Sequence, residues 1–358
     1  MNIFHIDYQT PDLAKVYEVG DILIKGGVVA LPTETVYGLA VDINNPEAIE
    51  KLVKIKNRPE NKPFPIQVYP LKRIYSLTNK AEILPNVYRL IDKFWPGPLT
   101  VIFPSLQPEK FGVKVGIRIS MHKVVQEILS RNELVVYMPS ANPSGMPPAK
   151  SSEEVLNYFS KDLSALVISQ GVEGIPSTVV DITQNPWKIL REGTISERQI
   201  RQVERSKRVV FVCTGNSCRS VLAEYYLKKL LLQREETRLI EVMSCGVMVV
   251  DGIGGPTSIV VEMLRQEGVD ASKHIRRAIN ESMLMGADLI FVMEQYHEDV
   301  ILRYLPFLKN RIYLLGEFAG DLGPGPEIPD PIGGSWEVYE EVFAKIKESV
   351  NRISQMIL

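Results

Sequence analysis

Apolar residues gather along this chain in short blocks, with helical spacing between them. Before residue 190 the blocks VVAL (28–31), LTVIF (99–103), VKVGIRI (113–119), ELVVYM (133–138), ALVIS (165–169) and STVVDI (177–182) predict strands. Helices are predicted over 12–25, 46–56, 83–93 and 122–130, the second opening at Pro46 as a first-turn proline allows. WKILREG (187–193) reads as a terminal strand. The following stretch, EGTISERQIRQVERSK, is polar and lacks a strong apolar stripe, so a domain boundary falls near 196–207. The alternative is a surface helix within one domain. Domains spanning 1–200 and 206–358 are expected.

Beyond the boundary the alternation is more regular. RVVFV (208–212), LIEVMS (239–244), ADLIFVM (287–293) and RIYLL (311–315) predict strands. Helices are predicted from about 219 and over 256–266, 295–304 and 335–356. Repeated strand-then-helix units imply a doubly wound parallel sheet, so both halves are α/β.

Composition narrows the setting. At roughly 100–200 residues per domain, 358 residues make two. With 45% hydrophobic and 23% charged residues, each half can bury its own core. A net charge of -2 excludes a global basic field, leaving only local basic patches. MNIFHIDYQT has neither the basic nor the apolar region of a signal peptide, and no run approaches the ~18 apolar residues that span a bilayer. Three cysteines, at 213, 218 and 245, are too few for a disulfide framework and fit a reducing compartment. A cytoplasmic protein without a membrane partner is expected.

The densest chemistry lies in RVVFVCTGNSCRSVLAEYY, where Cys-x5-Arg-Ser sits between a buried strand and a helix. Loop N–H groups and the helix N-terminus would converge on an anion, and their field favours the thiolate of Cys213, the candidate nucleophile. Arg219 can fork onto two phosphate oxygens. Ser220 can donate to the Cys213 sulfur. Gly215 permits a tight fold and Asn216 can hold unusual dihedrals; Thr214, Ser217 and Cys218 complete the loop. A cysteinyl phosphatase also needs a general acid. Asp330, stiffened by Pro329 and Pro331 in a Gly/Pro loop, is the candidate, with a simple Asp-Pro turn as the alternative.

CTGNSCRS followed by EIPDP, with SCG at 244–246, HIRRAI at 274–279 and ADLIFVME at 287–294, resembles the low-molecular-weight protein tyrosine phosphatases over about 208–354. The resemblance implies a four-stranded parallel sheet carrying a phosphate loop. It also implies Cys213 as nucleophile, Arg219 as phosphate binder, Asp330 as acid, and no cofactor. Val221 and Ile332 depart from the proline and aromatic residue usual at their positions. Within the family the loop is more similar to the protein-arginine phosphatase branch, because Ser217 supplies a hydroxyl where tyrosine phosphatases carry an aliphatic residue. A phosphorylated protein, on tyrosine or arginine, is the implied substrate. Arsenate reductases share the fold but relay electrons through further thiols, which leaves the part of Cys245 open. The resemblance suggests that Cys218 traps oxidised Cys213 as a disulfide, making an oxidant sensor a further reading; a small buried residue is the alternative.

The first half offers subtler motifs. KGGVVALPTETVYGLAVD (25–42) brings Thr33 on a hydroxyl-rich turn; KIKNRPENKPFPIQV (54–68) groups Lys54, Lys56, Arg58 and Lys62 at a helix end, where they could clamp a polyphosphate. GIR supplies Arg118, PSANPSG supplies Ser140 and Asn142, GIPSTVVD supplies Ser177, and ILREG supplies Arg191. In this order, with Lys56-x-Arg58, Ser140-x-Asn142 and WPGPLT (95–100), they resemble the YrdC/Sua5 family of threonylcarbamoyl-AMP synthases over about 10–195. The resemblance implies a twisted α/β sheet around a basic cavity. It implies ATP as substrate, accompanied by Mg2+, with L-threonine and bicarbonate, and partners in the tRNA-modification machinery. Lys54, Lys56 and Arg58 would meet ATP phosphates, Arg118 a carboxylate or phosphate, Ser140, Asn142 and Arg191 the nucleotide, and Thr33 and Ser177 the amino acid. No protein metal site is expected. Ser120 departs from a usual proline. A nucleotide- or RNA-binding module that recruits the phosphatase is the alternative.

Overall fold

A computed structural model describes residues 1–57, 63–234, 239–318 and 325–357. The chain separates into two compact units, one of 1–83 and 90–201, the other of 84–89 and 202–358.

The first unit is built on a mixed sheet of β1 (Asn2–His5), β2 (Val29–Leu31), β3 (Gly38–Asp42), β4 (Ile66–Gln67), β5 (Leu99–Pro104), β6 (Lys114–Arg118), β7 (Val136–Tyr137), β8 (Ala165–Ile168), β9 (Thr178–Asp181) and β10 (Lys188–Arg191). Their order is β1-β8-β2-β3-β7-β4-β6-β5-β9-β10. Strands β1, β3 and β4 extend the predicted set. One buried cluster joins Val16, Val19 and Leu23 of the helix Leu13–Ile24 to Val29, Leu31 and Val167. A second joins Ala48 and Leu52 of the helix Pro46–Lys56 to Leu39, Val41 and Leu166. Adjacent strand residues thus face opposite layers, as the two-residue pleat requires. Residues 197–205, expected as a polar connection, form the helix Glu197–Arg205, whose Ile200 and Val203 are buried. Two apolar positions three apart suffice to seat it.

The second unit has an all-parallel sheet of β11 (Lys207–Cys213), β12 (Ile240–Gly246), β13 (Leu289–Val292) and β14 (Ile312–Leu314), in the order β12-β11-β13-β14. Strand β11 is buried on both faces from Arg208 to Cys213, which explains its unbroken apolar run. Helices Arg219–Gln233 and Trp336–Met356 pack together over one cluster containing Phe211, Leu227, Ile346 and Val350. Because β11 has β12 on one side and β13 on the other, the chain reverses direction of winding there. The loop after β11 therefore leaves the sheet at its topological switch point, where doubly wound folds hold ligands. Among the described residues no helix is long and apolar enough to cross a membrane.

Candidate active sites

In the second unit β11 delivers Cys213 directly into the loop, 2% exposed. Its Sγ lies 2.9 Å from Ser220 Oγ and accepts from Asn216 N–H at 3.2 Å. Asn216 adopts φ 46°, a left-handed conformation that asparagine tolerates. Its side chain is fully engaged. Nδ2 donates to Ser220 Oγ (3.0 Å) and Ser244 Oγ (2.7 Å), while Oδ1 accepts from Arg277 N–H (2.8 Å) and lies 3.1 Å from His274 Nε2. Ser244 donates in turn to buried Glu224, which Arg277 also binds through Nη2 at 2.9 and 3.0 Å. A buried chain of polar groups thus runs from the sulfur through Ser220, Asn216 and Ser244 to Glu224, and holds the loop's shape.

Arg219, 1% exposed, opens the following helix. Nη1 donates to Ile328 O (2.9 Å) and pairs with Glu294 Oε2 (2.9 Å); Nη2 pairs with Asp330 Oδ2 and donates to Thr214 Oγ1 (3.3 Å). The guanidinium thus brings Asp330 and Thr214, the residue after Cys213, together. Glu294 and His297 join it without having been anticipated. Glu294 caps the helix Gln295–Tyr304, and its N–H donates to His297 Nδ1 at 3.0 Å. His297 Nε2 lies 3.0 Å from Thr214 Oγ1. Burial, then the neighbouring Arg219 charge, push His297 down to about 4. Their signal was position: they follow β13, the parallel neighbour of β11.

Ser217 is buried, with Oγ 3.6 Å from Cys218 Sγ. Cys218 also lies 3.6 Å from Tyr339 Oη and 3.7 Å from Thr257 Oγ1. All three cysteines are free thiols. Cys245 is wholly buried on β12; burial, then the proximity of Cys213, raise its thiol and keep it protonated.

In the first unit a cavity of about 450 Å3 is lined by Thr33, Lys114, Arg118, Ser140, Ser177 and Arg191, with Gln67, Phe64 and Asp181. Arg118 donates to Thr35 Oγ1 (2.8 Å) and Gly97 O (3.3 Å) and pairs with Glu34 (2.6 Å). Ser120 donates to the other Glu34 oxygen. Burial works to raise Glu34, but Arg118 and Ser120 outweigh it and hold the carboxyl below its ordinary value. Arg191 reaches Ser177 through Nε to O (2.9 Å) and Nη2 to Oγ (3.1 Å), and Ser177 Oγ lies 3.0 Å from Thr100 Oγ1. Desolvation and then the charge of Arg118 lower Arg191, so the two guanidiniums repel across a wall that an anion would neutralise. Asp181 is occupied by Lys114 at 2.9 Å.

Thr33 Oγ1 accepts from the N–H groups of Thr35 and Val36 and donates to Val36 O at 2.6 Å, closing its own turn. Lys56 is 3% exposed, and its ammonium donates to Ser140 O (2.6 Å), Asn142 O and Asn142 Oδ1 (3.2 Å). Asn142 Nδ2 binds Met146 O (2.6 Å) and Pro143 O (3.0 Å), and Ser140 Oγ donates to Asn142 Oδ1 (2.6 Å). Lys56, Ser140 and Asn142 are thus brought together as one loop clamp. Lys54 is exposed, away from the cavity lining. Arg58 and Lys62 lie outside the described residues.

Residues 21–193 match the Sua5/YciO/YrdC family model, described as telomere recombination, and residues 208–357 match that of the low molecular weight phosphotyrosine protein phosphatases. The chain joins a Sua5/YciO/YrdC-family domain to a low-molecular-weight phosphatase-family domain. The first domain is 30% identical over 185 residues to a threonylcarbamoyl-AMP synthase of Pyrococcus abyssi, covering 50% of this chain and 54% of that protein. The chain thus spans about half the length of that curated relative. The crystal structure of P. abyssi Sua5 complexed with L-threonine shares the fold, with a TM-score of 0.54 at 20% identity over 97% of this chain and 98% of that one. E. coli YciO likewise shares the fold of the Sua5-type domain, with a TM-score of 0.51 at 23% identity over 56% of this chain and 100% of that one.

Proposed function

We propose that this is a cytoplasmic bifunctional enzyme, a threonylcarbamoyl-AMP synthase over 1–200 fused to a cysteine-dependent protein phosphatase over 206–358. The observation that carries the phosphatase is Cys213 Sγ held by Ser220 Oγ at 2.9 Å, at the switch point and in the loop that leads into buried Arg219. The sulfur attacks phosphorus as the bond to the leaving group breaks, and Asp330 protonates that group. Water then attacks the phosphocysteine, gives its proton to Asp330, and the thiolate departs, its charge met by Ser220 and the Asn216 N–H. A protein phosphotyrosine or phosphoarginine is the substrate, and no cofactor takes part. Protonated, buried Cys245 argues against a thiol relay of the arsenate-reductase kind. Cys213→Ser is expected to abolish turnover in a folded chain; turnover near wild type would sink the assignment.

The synthase reading rests on the cavity that gathers Arg118, Arg191, Ser140 and Ser177. The threonine amine and bicarbonate form a carbamate, water leaving. A carbamate oxygen attacks the α-phosphorus of ATP and pyrophosphate departs. The cavity contributes position and charge neutralisation, with no covalent enzyme step. Mg2+ would enter as the MgATP substrate complex, a reading supported by the pairing of Asp181, which lines the cavity, with Lys114. The adenylate then passes to the tRNA-modification machinery for N6-threonylcarbamoylation of adenosine. ATP–pyrophosphate exchange that requires both threonine and bicarbonate is expected. Nucleotide binding without exchange would favour the recruiting module.

A further inference from the structure

We propose that the Thr214 hydroxyl donates a hydrogen bond to the phosphoryl group held in the loop, and that His297 is the positioning residue that aims it. The proposal rests on the phosphatase reading of that loop.

A threonine hydroxyl carries one O–H and two lone pairs. His297 Nδ1 accepts the Glu294 N–H at 3.0 Å, so the neutral ring carries its hydrogen on Nε2. That hydrogen points at Thr214 Oγ1, 3.0 Å away. Arg219 Nη2 approaches the same oxygen at 3.3 Å. Both lone pairs are then filled by donors, and the hydroxyl must turn its own hydrogen outward. Among the described residues no hydrogen-bond acceptor stands on it. Thr214 immediately follows Cys213, is half-buried, and shares Arg219 Nη2 with Asp330. The free O–H is therefore on the residue that follows the nucleophile, beside the guanidinium nitrogen that also pairs with Asp330. Burial and the Arg219 charge keep His297 neutral at any ordinary assay pH, which preserves this tautomer.

The test uses the full chain, with inorganic phosphate binding measured by calorimetry and p-nitrophenyl phosphate turnover measured beside it. Thr214→Val is expected to weaken phosphate binding about ten- to a hundred-fold, the loss of one hydrogen bond to a charged group. Its kcat/KM should fall in step, and Thr214→Ser should recover most of both. His297→Leu should reproduce the Thr214→Val loss and add nothing to it in the double variant, because the two act through one hydrogen. If His297→Leu does not fold, His297→Asn, which still offers an N–H, should retain phosphate affinity that Thr214→Val loses. Wild-type phosphate affinity in Thr214→Val overturns the proposal, as does an equal His297 effect with and without the threonine hydroxyl. A wild-type chain that binds phosphate but never turns over would sink the phosphatase reading, while the binding comparison still decides this one.

Discussion

Asp330 is bound to Arg219, Oδ2 to Nη2, so the residue expected to protonate a leaving group is paired with the one expected to hold phosphate. On the proposed function, a bound phosphate would compete with Asp330 and Glu294 for the same guanidinium and so free Asp330 for the leaving group. Asp330→Asn should therefore lower kcat steeply for phenol-like leaving groups and little for activated aryl phosphates, which leave without a proton. A steady-state comparison across aryl phosphates of graded leaving-group acidity checks this. An equal loss across the series would mean that Asp330 only props the loop.

Lys56 serves as a clamp in the structure, and that sharpens what its loss should do. Each hydrogen bond from a charged donor is worth about 1.5–3 kcal/mol, and Lys56 makes three to the Ser140–Asn142 loop. Lys56→Met should lower the melting temperature of the first unit as well as abolish threonine-dependent pyrophosphate release. Arg58→Ala should abolish release too, and neither change should touch phosphatase turnover. Calorimetry with a pyrophosphate assay separates the outcomes. An unchanged melting transition in Lys56→Met would contradict the clamp.

The regular βα alternation and the eight contiguous residues from Cys213 to Ser220 were legible because local spacing encodes them. Glu294 and His297 were not, since a parallel crossover, rather than sequence proximity, brings the end of β13 beside the loop after β11. Strand β4, Ile66–Gln67, is too short to carry a two-residue period. For Lys56 and Arg118 the residue type was legible but not the partner. Read as free cations for a ligand, they are buried, and burial requires the pairing that Asn142 and Glu34 supply.

The Glu34–Arg118 pair predicts a pH dependence. Glu34 is held below its ordinary 4.5, so it binds its proton less readily folded than unfolded. Its contribution is complete above about 4.5 and is lost as pH falls through the lower, folded value. Glu34→Gln should cost about 3–5 kcal/mol near neutrality, because Arg118 is left buried without its counter-charge. The variant should also lose less further stability than wild type on going from neutral to acid solution. Melting of the first unit followed against pH tests both. Parallel acid profiles for the two proteins would refute the linkage.

Ser217 bears on whether the leaving group is a phenol or a guanidinium. It is a buried loop hydroxyl, 3.6 Å from Cys218 Sγ, and a Cβ on Gly215 would lie 3.4 Å from its Oγ. Serine is smaller than a branched aliphatic residue and offers a hydroxyl to a hydrogen-bonding guanidinium, whereas a branched aliphatic chain there would press on a flat ring instead. One such contact is worth on the order of 1–3 kcal/mol, a preference of about ten- to a hundred-fold. Ser217→Ile should accordingly move the ratio of kcat/KM values toward phosphotyrosine and away from phosphoarginine. The same change overpacks a buried site at a cost of about 1–3 kcal/mol, so stability falls whichever substrate is native. Only the ratio is diagnostic. Both substrates assayed on wild type and variant decide it, and a ratio that stays put while both activities drop would leave the loop hydroxyl with a structural part and favour the phosphotyrosine reading.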